Sequence, residues 1–216
     1  QITNGLSYGS NARNGLIKGP NYYHGPLGFA MRFPNRWNIE NKSNSITARD
    51  KTNSGAILIN VAAADPKLSP EQYMKQRMGI KRVSSGQTLR INGLNAFTGK
   101  ASINVDGGKR LSRVTVIYYG RRAFVITGTS KAVNGINRHD GTFMKTTKSF
   151  RPMTREERVA ARQQRIKLIQ ADENTSYKAL AARSPLDNLA EEQLRLLNGD
   201  YPNGEIEAGD MVKVIQ

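Results

Sequence analysis

Cysteine is absent from the 216 residues, which excludes a disulfide framework and any thiolate metal site and leaves the redox compartment open. Histidine is nearly absent too. His24 and His139 each stand without a neighbouring imidazole, whereas a His-Glu-x-x-His zinc site needs two of them one helical turn apart and a distant carboxylate. They read as surface or helix-cap residues, so no metal site and no cofactor are expected in this chain. No apolar run approaches the length of a membrane span, and no charged segment followed by an apolar one opens the chain. Acidic residues are scarce in the first part only: residues 1–153 hold 24 Lys and Arg against 6 Asp and Glu, a balance of +18, while 154–216 hold 9 against 11, a balance of −2. Such a split favours polyanions as partners of the first part, beside the plainer reading of a solvated surface.

Motifs for covalent chemistry are missing as well. Ser54 and the Ser84-Ser85 pair lack the Gly-x-Ser-x-Gly elbow, and Gly107-Gly108-Lys109 lacks the spacing and following helix of a phosphate loop. Glu156-Glu157 and Glu191-Glu192 are adjacent carboxylates on exposed helices rather than a facing pair. A catalytic set is therefore not expected.

What is present is a succession of strands. Tyr22 to Trp37 organises the chain: a turn feeds a strand with Phe29, Met31 and Phe33 on one face and Ala30 and Arg32 on the other, stopped by Pro34, with Trp37 re-entering an apolar layer. Before it, residues 1–21 form a Gly/Asn/Ser-rich arm, and with Gln1 at its start the chain is expected to be an excised piece of a longer protein. Residues 13–18 are expected to add an edge strand, and 38–53 a ragged loop with one short strand near Ser45–Ala48. Gly55–Ala63 is a continuous apolar strand for the middle of the sheet. Leu68–Gly79 carries a capping box, with Ser69 as N-cap, Pro70 at the first helical position and Gln72 three residues on. Thr88–Ile91, Ala96–Val105, Arg110–Tyr119 and Ala123–Thr129, joined by short glycine turns, predict an antiparallel meander, followed by a helix over 134–148.

The fold class is thus α+β, an antiparallel sheet with packed helices over 22–153, then a charged helical linker over 154–165. Beyond it, Arg165–Gln170, Ser176–Arg183, Ala190–Leu197 and Met211–Ile215 read as strand, helix, helix, strand, a small β-α-α-β domain over 166–216.

That last module resembles LysM. Leu194-Arg195-Leu196-Leu197-Asn198-Gly199 is similar to the family's helix end, and Ile206 to Val214 to its closing strand, although Asn174-Thr175-Ser176 stands where the family has Gly-Asp-Thr and Ala208 where it has Pro. The resemblance implies a groove for N-acetylglucosamine polymers lined by Asn174, Thr175, Ser176, Tyr177, Asn198, Gly199 and Ile206. The first domain, with Leu27-Gly28-Phe29-Ala30-Met31-Arg32-Phe33-Pro34 and Ile91-Asn92-Gly93-Leu94-Asn95-Ala96, resembles PsbP-type domains. The whole chain, including Gly5 to Gly9, Gly15 to Gly19, Tyr23 to Phe29 and Ser149-Phe150-Arg151, is similar to the non-catalytic C-terminal region of bacterial periplasmic zinc metallopeptidases of the gluzincin, CAAX-protease-like class.

These resemblances imply an accessory region that binds or positions an enzyme near peptidoglycan in the periplasm, with zinc only in an upstream protease domain. The alternative is a protein-interaction scaffold packing on that domain or on another envelope protein without glycan affinity. Lys109, Arg110, Arg113, Arg121 and Arg122, with Lys81-Arg82, are candidates for one basic surface contacting anionic envelope material. Tyr118 and Tyr119 interleave with them, but no recognition motif accompanies the pair and no nucleic acid is expected.

Overall fold

A computed structural model of the chain describes residues 6, 15–42, 45–105, 108–132, 135–161, 165–186 and 189–216. It divides into two compact units, one of residues 14–155 and one of 156–216 with the lead up to residue 13.

In the larger unit, β1 (Leu16–Lys18), β2 (Asn21–His24) and β3 (Phe29–Arg32) form consecutive antiparallel strands. The stretch from Tyr22, expected to open with a turn, therefore opens with a strand. The turn is the short 3-10 segment Gly25–Leu27, ended by Gly28 in the left-handed region at φ 69°. β4 (Asn38–Lys42) and β5 (Ser45–Arg49) form a hairpin where a ragged loop with one strand was expected. In β4 only Ile39 is apolar, so its alternation is invisible in hydropathy. β6 (Gly55–Ala63) leads to helix α1 (Pro70–Gln76), whose capping box forms as the sequence specifies: Ser69 Oγ accepts from Gln72 N–H at 3.2 Å, and Gln72 Oε1 from Ser69 N–H at 2.8 Å.

The meander follows as β7 (Ser84–Ile91), β8 (Leu94–Val105), β9 (Gly108–Tyr119) and β10 (Arg122–Ser130), and β10 pairs back onto β6. The result is a seven-stranded antiparallel sheet in the order β4-β5-β6-β10-β9-β8-β7. Helix α2 (Ile136–Lys148) closes the unit, and β11 (Arg151–Pro152) returns to pair with β3, completing a separate four-stranded sheet. Of the expected turn over 106–108, residues 106 and 107 lie outside the described residues and Gly108 opens β9.

Alternation along the strands builds two cores. On one face, Ile57, Ile59, Ala96, Ile117, Phe124 and Ile126 pack with Tyr22, Phe29, Met31, Phe33 and Phe150 of the small sheet and with Ile136 and Phe143 of α2. The other face carries Phe97, Ala101, Val114, Val116, Ala123 and Val125 under Tyr73 and Met74 of α1. Gly128 lets α2 come this close: a Cβ there would lie 2.3 Å from Phe143 Cγ.

Helix α3 (Arg155–Ala160) is shorter than the expected connector, with Glu156 and Glu157 in its first turn. In the smaller unit, β12 (Ile166–Gln170), α4 (Tyr177–Arg183), α5 (Ala190–Asn198) and β13 (Met211–Ile215) follow in β-α-α-β order. The two strands pair antiparallel from Ile166↔Ile215 to Gln170↔Met211. Ile166, Tyr177, Leu194 and Ile215 form the core.

Candidate functional site

The seven groove candidates of the smaller unit fall into two groups. Most hold the unit together. The loop before α4 is an Asx turn: Asp172 Oδ1 accepts from Asn174 N–H at 3.0 Å and from Thr175 Oγ at 2.7 Å. The Thr175 hydrogen bond, then the backbone one from Asn174, hold the Asp172 carboxyl below the usual carboxylate range. Ser176 Oγ caps α4 by accepting from Ala179 N–H at 3.2 Å. Tyr177 is fully buried, with the Arg195 guanidinium 4.8 Å from its ring centroid. Its hydroxyl donates to Asp200 Oδ2; burial, then this bond, push the phenol's pKa up. Tyr177 is thus a core residue and offers no ring to a ligand, which corrects its place in the expected groove.

Asn198 is likewise occupied. Its Nδ2 donates to Leu194 O (2.9 Å) and Lys213 O (3.0 Å), and its Oδ1 accepts from Lys213 N–H (2.7 Å), stitching the end of α5 to β13. Ile206 packs into the apolar clusters of the unit. Asn198→Ala leaves the Lys213 main-chain groups without their partner and is expected to lower stability by about 2 kcal/mol in urea unfolding followed by circular dichroism. The exposed members of the set are Asn174 and Gly199, and sequence reasoning missed Tyr201, 59% exposed in the loop that leaves α5. The Tyr177–Asp200 bond ties the first residue of α4 to the residue after the C-cap of α5, beside which Tyr201 stands in sequence.

The five basic candidates do not share one surface. Arg113 is 7% exposed and points onto α2, where its Nε and Nη2 donate to the two carboxylate oxygens of Asp140 at 2.7 and 2.6 Å. That bidentate bond, against some burial and helped by Lys100 at 3.1 Å, holds the Asp140 carboxyl below its usual range. Arg113 is therefore a structural cation, not a contact for envelope polymers. Arg110 donates to the Lys131 carbonyl. Lys109 lies near the start of β9 and Arg121 in the turn that follows its end at Tyr119, a strand length of roughly 34 Å between them.

Two cavities separate what remains. A small one of about 280 Å³ is lined by His24, Lys42, Arg122, Asn41 and apolar neighbours. His24 Nδ1 accepts from Leu27 N–H at 3.2 Å, which leaves the ring proton on Nε2, and burial lowers its pKa, so the ring is neutral at pH 7. A larger groove of about 900 Å³ is lined by residues 78–84 and 100–104 with Lys109 and Leu111, and joins Lys81, Arg82 and Lys109 around apolar side chains.

The fold also brings Asp50, Ser54 and His139 together, which their spacing in sequence conceals. Ser54 Oγ lies 3.4 Å from His139 Nε2 but donates to Asp50 Oδ2, and Asp50 Oδ1 accepts from Ser54 N–H at 2.7 Å. In a nucleophilic triad the carboxylate orients the imidazole. Here it holds the hydroxyl and tightens the β5–β6 turn. Burial pushes Asp50 up, and the Ser54, Thr52 and Gly55 hydrogen bonds outweigh it and hold the carboxyl low. Among the described residues no three His, Asp or Glu side chains converge on a metal site, and no helix is long and apolar enough to cross a membrane.

No protein-family model matches the chain, and no curated protein sequence matches it. Among solved structures it is similar to cyanobacterial PsbP (CyanoP) from Synechocystis sp. PCC 6803, at 13% identity over 68% of this chain and 98% of that one, with a TM-score of 0.47. A Bacteroides thetaiotaomicron VPI-5482 protein matches at 14% identity over 93% of this chain and 87% of that one, TM-score 0.45. LpqN, involved in cell envelope biogenesis of Mycobacterium tuberculosis, matches at 15% over 69% and 99%, TM-score 0.42. The antiparallel α+β description rests on the chain's own strand order, and these likenesses carry nothing about activity.

Proposed function

We propose that this chain is a non-catalytic region of a larger periplasmic protein, and that its LysM-like smaller unit binds N-acetylglucosamine polymers such as peptidoglycan. The observation that supports this reading is the Tyr177–Asp200 hydrogen bond, which joins the start of α4, where the Asn174 loop ends, to the residue that precedes Tyr201. Those two loops would form the groove, with the Asn174 amide for an acetamido group and the exposed Tyr201 ring for a sugar face. In this reading the enzyme it serves is an upstream zinc metallopeptidase, and the PsbP-like larger unit spaces or anchors it.

Co-sedimentation of the whole chain with insoluble peptidoglycan tests the proposal. Wild type is expected to pellet at low and high salt alike, and Asn174→Ala with Tyr201→Ala to cut the bound fraction at least tenfold. Binding that high salt abolishes and the double variant leaves intact would show that only the basic unit adheres, and would sink the proposal. A second reading, an interaction scaffold without glycan affinity, is favoured by Leu189, at the N-cap of α5, and Leu196 within the helix, 67% and 68% exposed. It predicts no pelleting and instead capture of the upstream protease domain, lost in Leu189→Ser with Leu196→Ser.

A further inference from the structure

The larger groove lies where a strand is missing. β7 pairs with β8 as far as Ser84↔Lys100, whereas β8 continues to Val105, paired among the described residues only with β9 from there on. Residues 101–105 therefore carry one open main-chain edge on the β7 side. Lys100 marks which groups face that edge, since its carbonyl accepts from Ser84 Oγ at 3.3 Å. In an antiparallel ladder alternate residues face the same side, so the main-chain N–H and C=O of Ser102 and Asn104 also point outward. Among the described residues the chain running past them does not take them up: Ile80 N–H goes to Met74 O and Lys81 N–H to Gly79 O, each at 3.1 Å.

The lining of the groove comes from both faces of this strand. Ala101 and Ile103 belong to the α1 face and pack near Met78, Ile80 and Val83. Ser102 and Asn104, with Leu111 and Lys109 of β9, belong to the opposite face. A cavity that wraps an open edge in this way has the shape of one extended chain, with pockets on both sides for alternate side chains. Its rim is cationic. Lys81, Arg82 and Lys109 are exposed and have no carboxylate partner among the described residues, whereas Lys100 is already paired with Asp140.

We infer that this groove binds an extended acidic peptide, which adds as a strand beside Ser102–Asn104, places apolar side chains against Ile80, Val83 and Ile103, and sets carboxylates near Lys81, Arg82 and Lys109. Charge complementarity chooses an acidic partner, and the open main-chain edge chooses a peptide over other polyanions, which have no use for paired N–H and C=O groups. This site belongs wholly to the larger unit and does not depend on the glycan groove.

The test is fluorescence anisotropy with a fluorescein-labelled peptide, Gly-Gly-(Glu-Val)3-Gly-amide, against the whole chain. Saturable binding is expected, weakened at least tenfold in the variant carrying Lys81→Glu, Arg82→Glu and Lys109→Glu, whose circular dichroism should match wild type because all three side chains are exposed. The decisive comparison uses two peptides of equal charge, each N-methylated at alternate amides. One set of positions should lose binding at least tenfold, and the other should retain it. Equal binding of both methylated peptides, or of (Glu-Ser)3 and (Glu-Val)3, would overturn the proposal in favour of charge alone. Absence of peptide binding, with polyphosphate or phosphatidylglycerol vesicles bound instead through the same three cations, would overturn it in favour of another anion.

Discussion

Asp140→Ala is expected to destabilise the larger unit by about 3 kcal/mol, because it leaves the Arg113 guanidinium buried without a counter-charge. The Arg113 side chain is 9% exposed and that of Asp140 is 19% exposed, so the survivor cannot turn to solvent without disturbing β9 and its packing on α2. Lys100 loses its carboxylate partner in the same step and keeps Asn137 Oδ1 at 3.3 Å. The charge should matter more than the volume. Replacing both members, Arg113→Met with Asp140→Leu, is expected to recover most of the loss, as apolar substitutes for buried ion pairs commonly do. Urea unfolding of wild type, Arg113→Met, Asp140→Leu and the double variant gives the cycle, and a double variant as unstable as Asp140→Leu alone would refute this account of the pair.

The pair also fixes a pH dependence. Asp140 has a folded-state pKa below its unfolded value, through the Arg113 bond first and Lys100 next. Its contribution is therefore complete above the ordinary carboxylate pKa of about 4 and is lost as pH falls through the lowered folded value. Wild type should lose stability on acidification below about pH 4 more steeply than Asp140→Ala, which has already forfeited this contribution.

Phe150→Ala should cost about 4 kcal/mol, in the range for emptying a large aromatic site. Phe150 is fully buried, 4.9 Å from both Phe29 and Phe124 between ring centroids and 6.4 Å from Tyr119. It stands just before β11, so its ring pins the strand that completes the small sheet at the point where the chain leaves α2. Asn92 Nδ2 donates to the Phe150 carbonyl at 2.7 Å, so the main chain is held from the other side as well. Phe150→Leu, which keeps most of the volume, should cost less than half as much. A midpoint shift without a change of denaturant slope is the expected form of both effects.

These two sites show where sequence reasoning reaches and where it stops. The capping box at Ser69, the meander from β7 to β10 and the β-α-α-β order of the last unit are local patterns, set by neighbours a few residues apart, and all were legible. β4 was not, because a polar edge strand has little hydropathic alternation to display. Arg113–Asp140 and Ser54–His139 escaped because nothing in a linear pattern brings a strand residue onto a helix surface. In the glycan set, a family pattern cannot distinguish residues that build a module from those that would touch a ligand, and Tyr177 and Asn198 proved to be builders. The groove beside β8 was hidden for another reason: it arises from a difference in length between two paired strands, which becomes visible only with their register.

The irregular start of β7 has a consequence for self-association. The register shift between Ser84 and Gln87, with Ser85 at φ 50°, puts a kink in the outermost strand of the seven-stranded sheet. A flat, regular border there would invite copies of the chain to zip together into fibrils. A kinked one interrupts that growth along this border, next to the short stretch of β8 that is left open.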